Sequence, residues 1–450
     1  MRCESVILAA GLGTRMNSAV PKLLLPLAGQ PMIRWSASAC REATGSEPHL
    51  IVPKDAAALS EAAGGSPKLV EQSEPLGTGH AVQQAADTLS GKSELILVVN
   101  ADMPLISAET MAALIEAQSK GDGVVTLLTA ENDQSRGFGR IVRNDAGAVV
   151  AIVEEAQADE HQLALTELNV GAYCFEAAWL WKTLTEVKIS PKGEYYLTDV
   201  VGLAASEGAG IGTIHIADAD ETIGVNTMEH LAQAETAARR RINSRWMASG
   251  VRMIDPATAY IDSEVRIGAG TVLLPNIHLN GQTVIGENCE IGPNSVLRDA
   301  SIAEDCIIQS SVVEKAVLDA GVDVGPFARL RPGADLGPGV HVGNFGEIKD
   351  SKLAAGVKVG HFSYLGDATI GENVNIGAGT ITCNYDGKRK NATTILEGAF
   401  IGSDTMLVAP VTIGVGAHTG AGAVVTKDVP DRTLAAGVPA RVIRKLDADD

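Results

Sequence analysis

Ile370-Gly371-Glu372-Asn373-Val374-Asn375-Ile376-Gly377-Ala378-Gly379-Thr380-Ile381 opens both of its halves with Ile-Gly, six residues apart. The unit recurs as Ile267-Gly268-Ala269-Gly270-Thr271-Val272 and Ile285-Gly286-Glu287-Asn288-Cys289-Glu290. Between and beyond these units the aliphatics keep the interval. Val324, Leu330, Leu336, Val342 and Ile348 are six apart; Leu353, Val359 and Leu365 follow after one five-residue step; Ile401, Leu407 and Ile413 resume it. A period of six matches neither an α-helix nor an alternating strand. It matches a parallel β-helix in which each hexad forms one flat face of a prism and the periodic aliphatic points inward. The small residue after the aliphatic is expected at a tight corner whose backbone conformation disfavours large side chains. With turns about 4.8 Å apart, the repeats beyond Val265 predict roughly nine turns and a rod on the order of 40 Å long. A glycine-rich β-sandwich is the competing reading, and it does not explain so strict a period. The period breaks at Cys383-Asn384-Tyr385-Asp386-Gly387-Lys388-Arg389-Lys390-Asn391, a polar insertion that predicts a loop projecting from the rod.

The first half reads differently. Val6-Ile7-Leu8, Leu50-Ile51-Val52, Leu95–Val99 and Val124–Leu128 are short buried-strand runs separated by helical patterns, which predicts an α/β domain with a mostly parallel sheet and ligands beyond the carboxyl ends of its strands. Met228–Met247 is charged and free of Gly and Pro, as one long helix requires. The expected domains are residues 1–226, a helical linker 227–250, and a β-helix over 251–450.

Forty-eight glycines stand beside only 4 Trp, 6 Tyr and 6 Phe in 450 residues. The rod accounts for this: no Trp follows Trp246, and aromatics do not fit a narrow prism held by Ile, Val and Leu. Thirty-six Lys and Arg against 55 Asp and Glu give a net charge of −19, which argues against nucleic acid as the main ligand. No apolar run approaches a membrane span, and the first ten residues lack a secretory pattern. A cytoplasmic protein is expected. Six scattered cysteines with no C-x-x-C pair are expected as small buried hydrophobes.

Three places carry chemistry. Leu8-Ala9-Ala10-Gly11-Leu12-Gly13-Thr14-Arg15-Met16, followed by Pro21-Lys22, lets backbone N–H groups approach phosphates while Arg15 and Lys22 supply charge. It is neither a dinucleotide fingerprint nor a Walker A loop, and an ordinary tight turn is the alternative. Asp102 leaves the strand Leu95–Val99 at its carboxyl end, a place for Mg²⁺, although an isolated Asp there also suits a turn or helix cap. On the rod, Arg331, Lys349 and Tyr364 each lie one residue from an inward position. Arg331 and Lys349 are eighteen apart and are expected to stack in adjacent turns, with His361 nearby, as an anion site for a sugar phosphate.

The chain resembles the nucleotide-sugar pyrophosphorylases, whose opening signature L-A-A-G-x-G-T-R-M with P-K downstream stands at Leu8–Met16 and Pro21-Lys22. Gln72, Gly77-Thr78, Gly137-Phe138-Gly139-Arg140, Val153-Glu154, Leu168-Asn169-Val170-Gly171, Gly193–Asp199 and Gly224-Val225-Asn226 follow in the family's order. With the hexapeptide rod, the resemblance narrows to the bifunctional N-acetylglucosamine-1-phosphate uridyltransferases/glucosamine-1-phosphate N-acetyltransferases. It implies an α/β Rossmann-like nucleotidyltransferase domain, a linker helix and a left-handed parallel β-helix of hexapeptide repeats. By resemblance, Leu8, Ala9, Ala10, Gly11, Arg15, Gln72, Gly77 and Thr78 bind the uridine nucleotide, with Lys22 on its phosphates. Gly139, Glu154 and Asn169 hold the amino sugar, and Asp102 with Asn226 ligates Mg²⁺. The sugar phosphate displaces pyrophosphate from UTP without a protein nucleophile. On the rod, Arg331, Lys349, Tyr364 and Asn375 bind glucosamine-1-phosphate, with His361 as general base oriented by Glu347. Ala378, Asn384, Tyr385, Ser403 and Ala421 contact acetyl-CoA.

The sequence departs from the family pattern in three places. Ala101 replaces a glycine before the metal aspartate, Ile51-Val52-Pro53-Lys54 replaces a glycine-rich segment, and Ala436-Gly437-Val438-Pro439-Ala440-Arg441 carries no clean counterpart of the C-terminal coenzyme-binding arginine, leaving Arg441 or Arg444 as substitutes. The resemblance further implies a homotrimer with acetyl sites between subunits, small-molecule substrates only, and production of UDP-N-acetylglucosamine for cell-envelope precursors. Two other functions compete: a monofunctional pyrophosphorylase with a purely oligomerising rod, and a non-catalytic regulatory subunit. The intact His361, Lys349, Tyr364 and Asn375 set opposes the first, and the set of Lys22, Asp102 and Asn226 opposes the second.

Overall fold

The computed structural model describes residues 1–11, 13–132 and 137–447; Leu12 of the glycine loop lies outside them. Two compact units divide at Ala238/Arg239, inside a single helix spanning Met228–Ala248.

In the first unit a twisted sheet runs in the order Ile211–His215, Val125–Glu131, Glu167–Glu176, Leu95–Asn100, Cys3–Leu8, His49–Val52, Lys68–Glu71. All four runs read from the sequence as strands are in it. Along this path the sheet is parallel except for Glu167–Glu176, which runs antiparallel between Leu95–Asn100 and Val125–Glu131; off the path, Arg140–Arg143 pairs antiparallel with Glu167–Glu176 and with Val149–Val153. Val6, Ile51, Ile96, Val98 and Leu127 form a core on one face of it, and Ile7, Leu50, Leu97 and Val99 are buried on the other. Leu8 pairs in register with Ile51 on one side and Asn100 on the other, so the glycine loop and the segment around Asp102 leave the same edge side by side.

The second unit coils through three sheets of 12, 10 and 9 strands, paired in parallel from turn to turn as a left-handed parallel β-helix requires, except that Ala440–Lys445 folds back antiparallel on Thr433–Gly437 as a terminal hairpin. The coil begins at Arg252–Met253, earlier than the period alone indicated. Leu330, Leu336, Val342, Ile348, Leu353 and Leu365 are all 0% exposed, and each such burial contributes about 1.5–3 kcal/mol. The five-residue step is absorbed without loss of register: Leu330 pairs with Ile348 after eighteen residues and Ile348 with Leu365 after seventeen.

The corner differs from the sequence expectation in its cause. The position after the aliphatic, Gly286 for example, has no left-handed φ; a Cβ there would lie 2.6 Å from the Ala303 carbonyl carbon of the next turn. Close approach between turns excludes a side chain at Gly286. The left-handed conformation falls two residues later, at Asn288 (φ 55°), Asn373 (φ 53°) and Asp404 (φ 55°), residues that tolerate it better than most. Five cysteines are buried and Cys383 is half-buried; all are free.

Candidate functional site

The first unit holds a cavity of about 610 Å³ at the carboxyl edge of its sheet. Its walls bring together Leu8, Ala9, Ala10, Gly11, Arg15, Lys22, Gln72, Gly77, Thr78, Asp102 and Asn226. Gly13 has φ +60°, and a Cβ on it would lie 2.7 Å from Lys22 Cβ, so this glycine lets the loop fold back on the lysine. Gly11 is different: among the described residues, its chain neighbours aside, nothing lies within 4 Å of where its Cβ would be. Its smallness serves no internal packing and leaves backbone open to the cavity. The Lys22 ammonium lies 2.7 Å from Asp102 Oδ2 and 3.0 Å from Asn226 Oδ1, and Arg15 donates to the same Asn226 oxygen at 2.9 Å. Gln72 is buried; its amide donates to the Gly77 carbonyl at 3.1 Å and meets His80 Nδ1 at 3.0 Å.

An adjoining cavity of about 210 Å³ shares Leu8, Arg15, Thr78, Asp102 and Asn226 and adds Gly139, Glu154 and Asn169. Asn169 donates to the Tyr173 hydroxyl at 2.7 Å. Glu154 accepts from Thr198 Oγ1 at 2.9 Å. Burial pushes the Glu154 carboxyl above its ordinary value, partly opposed by that hydrogen bond. A half-buried carboxylate beside amide and hydroxyl groups suits a polyhydroxylated ligand. Ala101 is 1% exposed and lines neither cavity, so its methyl is packed beneath the site instead of inside it.

The donor set fits a hard divalent cation. Asp102 and Asn226 offer two oxygens that converge on one positive charge, the Lys22 ammonium. Among the described residues no group of three or more His, Cys, Asp or Glu is placed to hold a metal. Mg²⁺ suits such a sparse set, because it takes one or two protein oxygens and completes its shell with phosphate and water.

On the coil, Arg331 and Lys349 occupy aligned positions, each following the inward pair Leu330 and Ile348. Tyr364 lies on the same 10-stranded sheet, in register with Glu347. Asn375 lies on the 12-stranded sheet, beyond the intervening corner. His361 stands at that corner. The ladder Lys358, Asn375, Phe400, His418 places His361, Ala378, Ser403 and Ala421 in one column, three residues further along each turn. Glu347 is not the imidazole's partner. It accepts from Arg331 at 2.8 Å, while His361 Nδ1 faces Asn344 Oδ1 at 3.4 Å. Arg331 and Glu347 meet diagonally between adjacent turns of the flat face, since Glu347 aligns with Arg329 and Arg331 with Lys349, whereas His361 turns out at the corner.

The insertion is an ordered loop. Asp386 accepts from the backbone N–H groups of Arg389 and Lys388, which hold its carboxyl below the usual range. Asn384 is buried against Asp367 at 2.5 Å, and Tyr385 is exposed. The loop also returns Lys390 to Asp350, the carboxylate that Lys349 contacts at 3.3 Å.

Several lining residues escaped the sequence reading. Asn100, Pro75, Leu23 and Tyr173 line the cavities without having been singled out, and Glu194, Tyr196, Phe138 and Thr198 do so after being noted only as motif residues. Asn100 carried a signal, being the last residue of a buried strand; the basic run around Lys390 was another.

Residues 5–173 match the MobA-like NTP transferase domain, and residues 264–299 match six repeats of the bacterial transferase hexapeptide. The bifunctional protein GlmU of Heliobacterium modesticaldum is 45% identical over 432 residues, covering 96% of this chain and 94% of that protein. Its namesake in Exiguobacterium sibiricum is 45% identical over 96% of each chain. That of Brevibacillus brevis is 42% identical over 99% of this chain and 97% of its own.

Proposed function

The chain belongs to the family of bifunctional GlmU proteins, and from that premise we propose how its residues divide two reactions between its two units. It is a nucleotidyltransferase and an acetyltransferase, making UDP-N-acetylglucosamine from glucosamine-1-phosphate. A monofunctional enzyme with a purely oligomerising coil is not favoured.

In the N-terminal cavity, Ala9, Ala10, Gly11, Gln72, Gly77 and Thr78 take UTP, and Gly139, Glu154 and Asn169 take N-acetylglucosamine-1-phosphate. Arg15 and Lys22 neutralise the phosphates. A sugar-phosphate oxygen attacks the α-phosphorus in line, and the bond to pyrophosphate breaks; positioning and charge stabilisation suffice, with no protein nucleophile. Asp102 and Asn226 hold Mg²⁺, which when bound supplies further neutralisation of phosphate charge. The observation that carries this reading is the convergence of Lys22, Asp102 and Asn226 beside the open backbone of Gly11.

On the coil, Arg331, Lys349, Tyr364 and Asn375 take glucosamine-1-phosphate, and Lys390 adds to the positive charge near Lys349. Ala378, Ser403, Ala421, Asn384 and Tyr385 take acetyl-CoA, with Arg441 or Arg444 of the terminal hairpin for its phosphates. His361 takes the proton of the attacking amine. The placement of Asn375 on a different sheet from Arg331, Lys349 and Tyr364 supports a homotrimer whose acetyl sites are shared between copies; light scattering tests it, and a stable monomer that acetylates overturns it. Among the described residues no helix is long and apolar enough to cross a membrane, and a cytoplasmic location suits the substrates.

One assay tests the whole. Glucosamine-1-phosphate, acetyl-CoA, UTP and Mg²⁺ together release free thiol and pyrophosphate; omitting acetyl-CoA abolishes both, and omitting UTP abolishes only pyrophosphate. Pyrophosphate release from glucosamine-1-phosphate without acetyl-CoA contradicts the order of steps.

A further inference from the structure

We propose that Asn344 is the positioning residue of His361, and that Glu347 serves the substrate-binding Arg331 instead; the proposal rests on the reading of His361 as the base. Asn344 lies one turn before His361 in the same corner column, and its Oδ1 faces the imidazole Nδ1 at 3.4 Å. It is the imidazole's hydrogen-bond partner among the described residues. An amide oxygen only accepts, so Nδ1 carries the hydrogen of the neutral ring and Nε2 keeps its lone pair. An amide also fixes the tautomer without setting a negative charge beside the ring.

Nε2 then takes the proton of the substrate amine as its nitrogen bonds to the acetyl carbon. The carbon–sulfur bond breaks, and the departing coenzyme thiolate recovers the proton from the imidazolium.

The titratable groups of the surrounding turns are His341, Glu347, Lys349, Asp350 and Lys352 before, Lys358, Tyr364, Asp367 and Glu372 alongside, and Cys383, Tyr385, Asp386, Lys388, Arg389, Lys390 and Glu397 after. Glu347 is the carboxylate that the resemblance assigns to the imidazole, yet its Oε1 is committed to Arg331 at 2.8 Å and its register neighbour is Tyr364. Deleting it therefore disturbs the sugar-phosphate site before it disturbs the base.

The test is the pH profile of acetyl transfer by the full chain and its Asn344→Ala, Asn344→Asp, Glu347→Gln and His361→Ala variants, with uridylyl transfer as internal standard. Asn344→Ala is expected to lower kcat about tenfold with the KM for glucosamine-1-phosphate within about twofold. Asn344→Asp, which keeps the shape, sets a carboxylate against Nδ1 and moves the acid limb upward by about one pH unit. Glu347→Gln raises that KM and leaves the limb in place. A wild-type limb and kcat in both Asn344 variants, or a displaced limb in Glu347→Gln, overturns the pairing. Acetyl transfer persisting in His361→Ala overturns the underlying base assignment, whatever Asn344 does.

Discussion

Lys22 Nζ lies 2.7 Å from Asp102 Oδ2, an ion pair between groups 80 residues apart that the sheet brings to one edge. The glycine loop follows the strand Cys3–Leu8 and Asp102 follows its neighbour Leu95–Asn100. The pairing of those two strands thus builds a cation next to a carboxylate where a triphosphate can enter. Lys22→Met removes the charge and keeps much of the chain length. Pyrophosphate release is expected to fall by about 10²-fold or more, with free-thiol release from acetyl-CoA unchanged. An equal fall in both activities contradicts the assignment.

The two glycines of the loop have different reasons, and alanine separates them. Gly13→Ala meets a left-handed φ and the Lys22 side chain, costing about 1–3 kcal/mol of stability. Gly11→Ala meets no atom of the described residues beyond its chain neighbours; its melting temperature stays near wild type while the KM for UTP rises. Thermal melts and initial rates of the two variants decide this.

Glu154 gives a pH prediction. Its carboxyl is raised by burial, so the native state binds more protons than the unfolded chain. The associated stability is present below the unfolded value and is lost as pH rises through the folded one. At neutral pH the buried charge therefore costs stability. Glu154→Gln is expected to melt higher than wild type at pH 7 to 8, with the difference shrinking towards pH 4, and to bind N-acetylglucosamine-1-phosphate more weakly. A lower melting temperature for the variant at neutral pH runs against this.

Adjacent residues of one coil strand test the inward pattern. Ile308 is 0% exposed and Ile307 is 41% exposed. Ile308→Ala is expected to cost about 2–5 kcal/mol in denaturant unfolding, and Ile307→Ala no more than about 0.5 kcal/mol. Similar costs contradict the prism.

The coil was readable from sequence because one physical rule, an aliphatic at most inward positions, writes itself in the chain every six residues, with exceptions such as Thr382 and Thr419. The rule fixes which side chains are buried but not why a corner is tight. Close approach at Gly286 and left-handed backbone at Asn288 both select small or polar residues, and composition does not separate them. The antiparallel strand Glu167–Glu176 was visible only as the motif around Asn169, since strand direction depends on partners far away in the chain. The resemblance set Glu347 beside His361, whereas the side chain of Glu347 meets Arg331 and the imidazole meets Asn344. Residues carried by a motif line the cavities; Asn100 carried only the signal of its place at a strand end, and Tyr173 carried none.

The most direct test of a chain with two separate chemistries is to measure free-thiol and pyrophosphate release on one preparation of His361→Ala. Acetyl transfer is expected to fall by roughly 10² to 10⁴ while uridylyl transfer to supplied N-acetylglucosamine-1-phosphate stays at the wild-type rate. Acetylation near wild type, or loss of both activities together, would contradict the account.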